Sequence, residues 1–219
     1  MHRKTIIDFK ELGYRFLFED PLLELVAKTL DQVGPIIQQV QYYQELGYYV
    51  VGYLSYEAAT FFDKALQTHN DRLGNEYLAY FTVHKDCRQE NLPLDYDSIT
   101  IPNQWASLTQ KEAYQKAIET IQQEMRQGNT YQVNYTLQLT QELNAADSLA
   151  IYNKLVVEQA AGYNAYIAHD DVALISASPE LFFKQAGNQL TTKPMKGTTK
   201  PGGNLSLIHI WRGRRAICL

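Results

Sequence analysis

Apolar and polar positions follow two different periods along this chain, and the clearest stretch of each lies near its middle. From Thr109 onward, Ala113, Ala117, Ile118, Ile121 and Met125 recur at three- to four-residue spacing, which predicts a helix with one buried stripe. Thr109-Gln-Lys-Glu112 matches a capping box ahead of it, and Gly128 offers a left-handed stop behind it. The period then drops to two. In Thr130-Tyr-Gln-Val-Asn-Tyr-Thr-Leu-Gln-Leu-Thr140, Tyr131, Val133, Tyr135, Leu137 and Leu139 share one face. Gln132, Asn134, Thr136, Gln138 and Thr140 share the other. An uncharged polar face of this kind suits solvent, and it equally suits a site that hydrogen-bonds a polar ligand.

The remaining elements follow from the same reading. Residues 5–18 predict extended chain that turns at Gly13. Pro21–Leu30 predicts a helix opened by its proline, and Pro35–Leu46 a second one ended by Gly47. Tyr48–Ser55 is continuously apolar and reads as a central strand. Tyr56–Phe62 reads as a short helical or loop segment, and Glu76–Val83 as a strand. Residues 84–106 carry Pro93 and Pro102 and no sustained period, which marks a long connection and a candidate boundary. Ser148–Ala161 predicts a helix ended by Gly162. Strands and tight turns then alternate to Lys193, turning at Asp170-Asp171 and at Gly187-Asn188. An antiparallel meander after helices indicates an α+β fold.

Composition narrows the class. A chain of 219 residues with 45% hydrophobic content is long enough for a real core. Cys87 and Cys218 lack the spacing of a disulfide framework or a zinc site, which suits a reduced, cytoplasmic setting. No stretch approaches the length of a membrane span, and the apolar run near the N-terminus stops at Asp8, too early for a signal peptide. The net charge of −4 hides an asymmetry, because Arg212, Arg214 and Arg215 all lie in the last eight residues. Without them the balance is 17 basic against 24 acidic residues, so the body is acidic and no nucleic-acid surface is expected.

The candidate chemistry centres on Thr191-Thr-Lys-Pro-Met-Lys-Gly-Thr-Thr199. Lys196 follows a predicted strand and precedes a glycine that permits a sharp turn, and strand ends are where scaffolds hold reactive groups. Taken alone, the segment equally describes a surface lysine in a Pro/Gly turn.

Three segments together are similar to the chorismate-utilising family, which includes anthranilate synthase component I, isochorismate synthases and aminodeoxychorismate synthase component I. They are Gly128-Asn-Thr-Tyr-Gln-Val-Asn134, Ser176-Ala-Ser-Pro-Glu-Leu-Phe182 and Lys193-Pro-Met-Lys-Gly-Thr198. Their order, and their spacing over about 70 residues, carry the match. Gly52-Tyr-Leu-Ser-Tyr-Glu-Ala-Ala59 resembles the corresponding segment of aminodeoxychorismate synthases. The resemblance implies antiparallel sheets with flanking helices, with residues 1–106 as an N-terminal region and 107–204 as the start of the chorismate-binding catalytic domain.

Within that family, aminodeoxychorismate synthases carry lysine before Gly-Thr, where anthranilate synthases typically carry alanine. The resemblance therefore implies that Lys196 attacks ring C2 of chorismate and expels the 4-hydroxyl, after which ammonia attacks C4 and displaces the lysine. An amine with a pKa of about 10.4 is neutral in only about one molecule in two thousand at pH 7. A pKa of about 7–8, reached by burial or a neighbouring cation, raises that fraction to between about a tenth and a half. Lys193 is one such cation, although residues three apart on a strand point to opposite faces. Glu180 matches the family's Ser-Pro-Glu glutamate and is expected to act as an acid toward the departing hydroxyl. Gln132, Asn134 and Thr198 are expected to bind substrate. A glutamine amidotransferase subunit would supply the ammonia.

The resemblance also implies Mg²⁺ held by two glutamates, together with basic and glycine-rich segments that grip the substrate carboxylates. None of these segments is found in the sequence, so an incomplete and inactive fragment that binds no magnesium is expected. Leu205-Ser-Leu-Ile-His-Ile210 resembles the translated mosaic-end adapter of transposase-based sequencing libraries, so residues 205–219 are expected to be a non-native tail. Two other readings stay open: a fragment of anthranilate synthase component I, and a non-catalytic α+β binding protein.

Overall fold

A computed structural model describes residues 3–68, 77–91, 99–102, 104–143 and 147–194. In chain order the strands are β1 (Lys4–Phe9), β2 (Tyr14–Glu19), β3 (Leu23–Ala27), β4 (Tyr49–Leu54), β5 (Ala79–His84) and β6 (Arg88–Asn91). They continue with β7 (Ala106–Ser107), β8 (Leu139–Thr140), β9 (Tyr163–His169), β10 (Val172–Ser178), β11 (Leu181–Ala186) and β12 (Gln189–Lys193). The helices are α1 (Leu30–Glu45), α2 (Ala59–Phe62), α3 (Lys111–Arg126) and α4 (Ser148–Gln159). One sheet runs β10-β9-β1-β2-β6 and a second β3-β5-β4, while β11-β12 and β7-β8 are two-stranded. Every pairing is antiparallel, so the fold is α+β, as the sequence indicates.

Each larger sheet buries one face under one helix. α4 lays Tyr152 and Val156 on Ile6, Leu17, Tyr166 and Ala168 of the five-stranded sheet. α1 lays Val33 and Ile36 on Leu25, Ala27, Ala79 and Val83 of the three-stranded sheet. At about 1.5–3 kcal/mol for each large apolar side chain removed from water, these two layers supply most of the driving force.

Several expectations give way to long-range pairing. Pro21–Leu30 is not a helix: Leu23–Ala27 forms β3, with Leu25 and Ala27 buried and Leu23 exposed. The Leu-rich run fits both periods, and pairing along β5 selects the extended form. The Tyr48–Ser55 strand exists as β4 but lies at an edge, and β5 is the central strand. Residues 84–106 include β6, which extends the large sheet by pairing with β2. At α3 the N-cap is Gln110 with no side-chain cap, and the Thr109 backbone N–H and carbonyl both bond the Ser107 hydroxyl. A reciprocal cap forms at α1, where Gln32 Oε1 accepts from the N–H groups of Thr29 (3.3 Å) and Lys28 (2.8 Å). α4 ends at Ala160 in the left-handed region (φ +50°), two residues before the expected Gly162.

The largest departure concerns 109–140. α3 forms, but none of its stripe is buried, and Met125 is exposed. Of the expected strand only Leu139–Thr140 pairs, with Ala106–Ser107, and Tyr131, Val133, Tyr135 and Leu137 are exposed. An apolar stripe and an alternating strand each need an opposing layer. Here α3 meets the segment through the rings of Tyr114 and Tyr135, 5.7 Å apart, and packs extensively on no other described element.

A buried charge pair clasps the first sheet. Asp8 and Arg15 face each other across β1 and β2, and Arg15 donates to both carboxylate oxygens at 2.8 and 2.6 Å. Tyr152 donates to Asp8 at 2.7 Å, and Arg15 reaches Asn153 at 3.1 Å, so α4 is fixed by polar contacts as well as packing. Burial and the neighbouring Asp8 push the Tyr152 hydroxyl well above its ordinary pKa and keep it a donor. Removing one partner strands the other charge out of water. Asp8→Ala is expected to destabilise the fold by about 3–5 kcal/mol, read as a lower urea midpoint.

The two larger sheets meet around His169, which is 1% exposed. Its Nε2 lies 2.9 Å from the Tyr53 hydroxyl, and its ring packs 4.2 Å from that of Tyr80. Nδ1 faces Asp170 Oδ2 at 3.6 Å, beyond a good hydrogen bond. Burial lowers the His169 pKa despite Asp170, and burial also lowers that of His84. Both folded values lie below the ordinary 6.5, so the unfolded chain binds more protons as pH falls. Their contribution to stability is complete above pH 6.5 and is lost as pH drops through the folded values. The urea midpoint should fall between pH 7.5 and 5, less steeply in His169→Gln; equal slopes would contradict this role.

Candidate active site

Ser178-Pro-Glu180 leads into one leg of a hairpin, and Lys193 ends the other. β11 and β12 turn at Gly187, whose φ of +57° places it in the left-handed region that glycine adopts freely. The register sets Leu181 opposite Lys193, with an irregularity between Leu181 and Lys184. Glu180 and Pro194 therefore leave the hairpin side by side, one residue beyond that pair.

The turn into β11 is built locally. Ser178 ends β10, and its Oγ accepts from the Glu180 N–H at 3.2 Å and donates to the Glu180 carbonyl at 3.1 Å. Leu181 is buried while Glu180 is exposed, so the apolar residue seats the strand and the carboxylate faces outward. Lys196 and Thr198 lie outside the described residues.

At the end of β12, Lys193 Nζ donates to Glu11 Oε2 at 2.8 Å and lies 3.5 Å from the Tyr163 hydroxyl. The hydrogen bond with Glu11 raises the Lys193 pKa and lowers that of Glu11. The pairing offsets the charge of Lys193, which weakens its expected service as the cation acting on Lys196. A pocket of about 370 Å³ opens between the Lys10–Leu12 turn and the hairpin, lined by Glu11, Leu12, Leu181, Lys184, Thr191 and Lys193 among others.

The third motif sits elsewhere in the chain. Gly128 (φ +80°) ends α3 with paired bonds, Asn129 N–H to the Glu124 carbonyl and Gly128 N–H to that of Met125. Beyond it, Gln132 and Asn134 project from one side of the extended segment, with Gln132 Nε2 3.5 Å from Asn134 Oδ1. Both are exposed, and the described contacts do not bring either to Glu180. Among the described residues, no three His, Cys, Asp or Glu side chains gather as metal ligands.

Sequence reasoning missed Glu11 and the Asp8–Arg15 pair. A signal for the pair existed: with the turn at Gly13, opposite charges fall at mirrored positions of a hairpin. Nothing near Glu11 in sequence points to a partner 182 residues away.

Residues 10–206 match the chorismate binding enzymes, and the chain belongs to that family. It is 28% identical over 125 residues to an anthranilate synthase component 1 of Haloarcula marismortui, covering 57% of this chain and 24% of that protein. It is 32% identical over 92 residues to the aminodeoxychorismate synthase component 1 of Bacillus subtilis, covering 42% and 19%. Against the Escherichia coli protein of that latter name it is 28% identical over 105 residues, covering 47% and 22%. The matched stretches thus span a quarter or less of these relatives. Among the described residues no helix is long and apolar enough to cross a membrane.

Proposed function

We propose that the whole protein is a cytoplasmic enzyme that aminates chorismate at C4, giving aminodeoxychorismate on the route to 4-aminobenzoate and folate. The observation that carries this reading is the lysine at 196, directly before Gly197-Thr198. Relatives named for both activities match at similar identity, so overall similarity does not choose between them. The lysine does.

In the proposed reaction the neutral amine of Lys196 bonds to C2, the ring double bond shifts, and the C4–O bond breaks. Glu180 hands a proton to the leaving hydroxyl. Ammonia then bonds to C4, the double bond shifts back, and the C2–N bond breaks to release the lysine. The hairpin register supports this assignment, since Glu180 leaves β11 at the end where the chain continues from Lys193 toward Lys196. Gln132, Asn134 and Thr198 are the proposed hydrogen-bonding residues for chorismate, and an amidotransferase subunit the proposed ammonia source. We assign magnesium binding to parts of the whole protein other than the described residues. Bound there, the ion would offset the charge of a substrate carboxylate.

For the full-length protein, Lys196→Ala should lower aminodeoxychorismate formation by at least a hundredfold with ammonium as nitrogen donor, while far-UV circular dichroism stays unchanged. Turnover at the wild-type rate would remove Lys196 from the mechanism.

A further inference from the structure

We propose that His169 is a proton-operated latch between the two larger sheets, releasing one end of the three-stranded sheet from the five-stranded one in mildly acidic solution. The path of the chain builds a hinge at the other end. The three-stranded sheet is inserted between β2 and β6: the chain enters it through residues 20–22 and leaves it through residues 85–87. Both connections lie at the same end of β5, because Leu23 opens β3 opposite Val83 and His84 closes β5. Further contacts reinforce that end. The Leu22 N–H donates to the Val83 carbonyl at 2.9 Å, and His84 Nδ1 lies 3.2 Å from the carbonyl of Glu19, the last residue of β2. The rings of Phe18 and His84 pack 5.3 Å apart.

The other end of β5 has no chain connection to the large sheet. There Tyr80, with Tyr53 opposite it on β4, meets His169, the last residue of β9. Among the described residues, the hydrogen bonds across this end are made by side chains. His169 Nε2 lies 2.9 Å from the Tyr53 hydroxyl, Tyr77 donates to Asp170 Oδ2 at 2.8 Å, and Arg3 donates to Glu24 of β3. Lys28 stands over the Tyr77 ring, 5.3 Å from its centre. His169 is buried, and its Nδ1 has no hydrogen-bond partner.

A proton changes what this ring needs. An imidazolium carries an N–H at each nitrogen and requires two acceptors. In the closed seam Nε2 has the Tyr53 oxygen, but Nδ1 has only Asp170 Oδ2 at 3.6 Å, an oxygen that already accepts from Tyr77. The Asp170 side chain is half exposed, so a shift of the ring outward satisfies both N–H groups with carboxylate and water. That shift draws His169 away from Tyr53 and Tyr80. Asp170 and Glu24 favour the proton and Arg3 opposes it, while burial, the largest influence, holds the closed-state pKa below 6.5. Once open, the ring returns to its ordinary value. Between pH 7.5 and pH 5 the open population therefore rises, by at most about thirtyfold for one such group. His84 lies at the hinge, where the chain connections hold the sheets together whatever its charge.

The test is hydroxyl-radical footprinting of the full-length protein at pH 7.5 and pH 5 without denaturant, read residue by residue by mass spectrometry. Labelling of Tyr80 should rise at least about threefold at pH 5. Labelling of Tyr152, buried between α4 and the five-stranded sheet, should stay unchanged. His169→Gln offers Tyr53 an amide but takes up no proton, so its Tyr80 labelling should be the same at both pH values. Equal Tyr80 labelling at the two pH values in the wild type overturns the proposal. So does a parallel rise at Tyr152, which marks global unfolding, and so does a folded His169→Gln that keeps the wild-type rise. Should that variant fail to fold, the wild-type comparison of Tyr80 with Tyr152 decides.

Discussion

The buried Asp8–Arg15 pair is the interaction on which the rest of the architecture depends. It closes the first hairpin across its strands, takes a hydrogen bond from Tyr152, and so fixes α4 on the large sheet. Asn164, fully buried at the head of β9, donates to the Ala161 carbonyl and, at 3.4 Å, to that of Asp8. Through β9 the same clasp orients β10, and β10 ends in Ser178, whose side chain shapes the turn to Glu180. A buried pair of this kind is weak evidence for net stability, since desolvation offsets much of the attraction. Its contribution is to fix which surfaces meet.

Local chemistry made much of this fold legible. Turns at Gly13, Gly128, Asp170 and Gly187 follow from residues that tolerate a left-handed backbone, and all four adopt it. The β9–β10 and β11–β12 hairpins follow because their partners are adjacent in sequence. Where the partner is distant, local reasoning failed. Leu23–Ala27 carries enough leucine for a helix and became a strand because β5, more than fifty residues away, offered an edge. α3 forms with its stripe unburied, and of the strand expected over 130–140 only Leu139–Thr140 pairs, because burial and pairing depend on an opposing layer that periodicity cannot reveal.

Of the candidate site, local reasoning reached the hairpin that joins Ser178-Pro-Glu180 to Lys193. Glu180 lies one residue before β11 and Lys193 ends β12, so their nearness follows from two strands adjacent in sequence. Gln132 and Asn134 belong to a segment whose placement is not set by short-range pairing, and they stand apart. Glu11 was invisible because a solvated glutamate in a polar turn has no signature until its partner is known. In the proposed reading, family membership points to chorismate, and the choice of amination at C4 over anthranilate formation rests on Lys196.

The most direct measurement is the identity of the product that the full-length protein forms from chorismate and ammonium, read by mass spectrometry. Aminodeoxychorismate, which keeps the enolpyruvyl group, is the predicted product. Anthranilate, formed with release of pyruvate, would contradict the account.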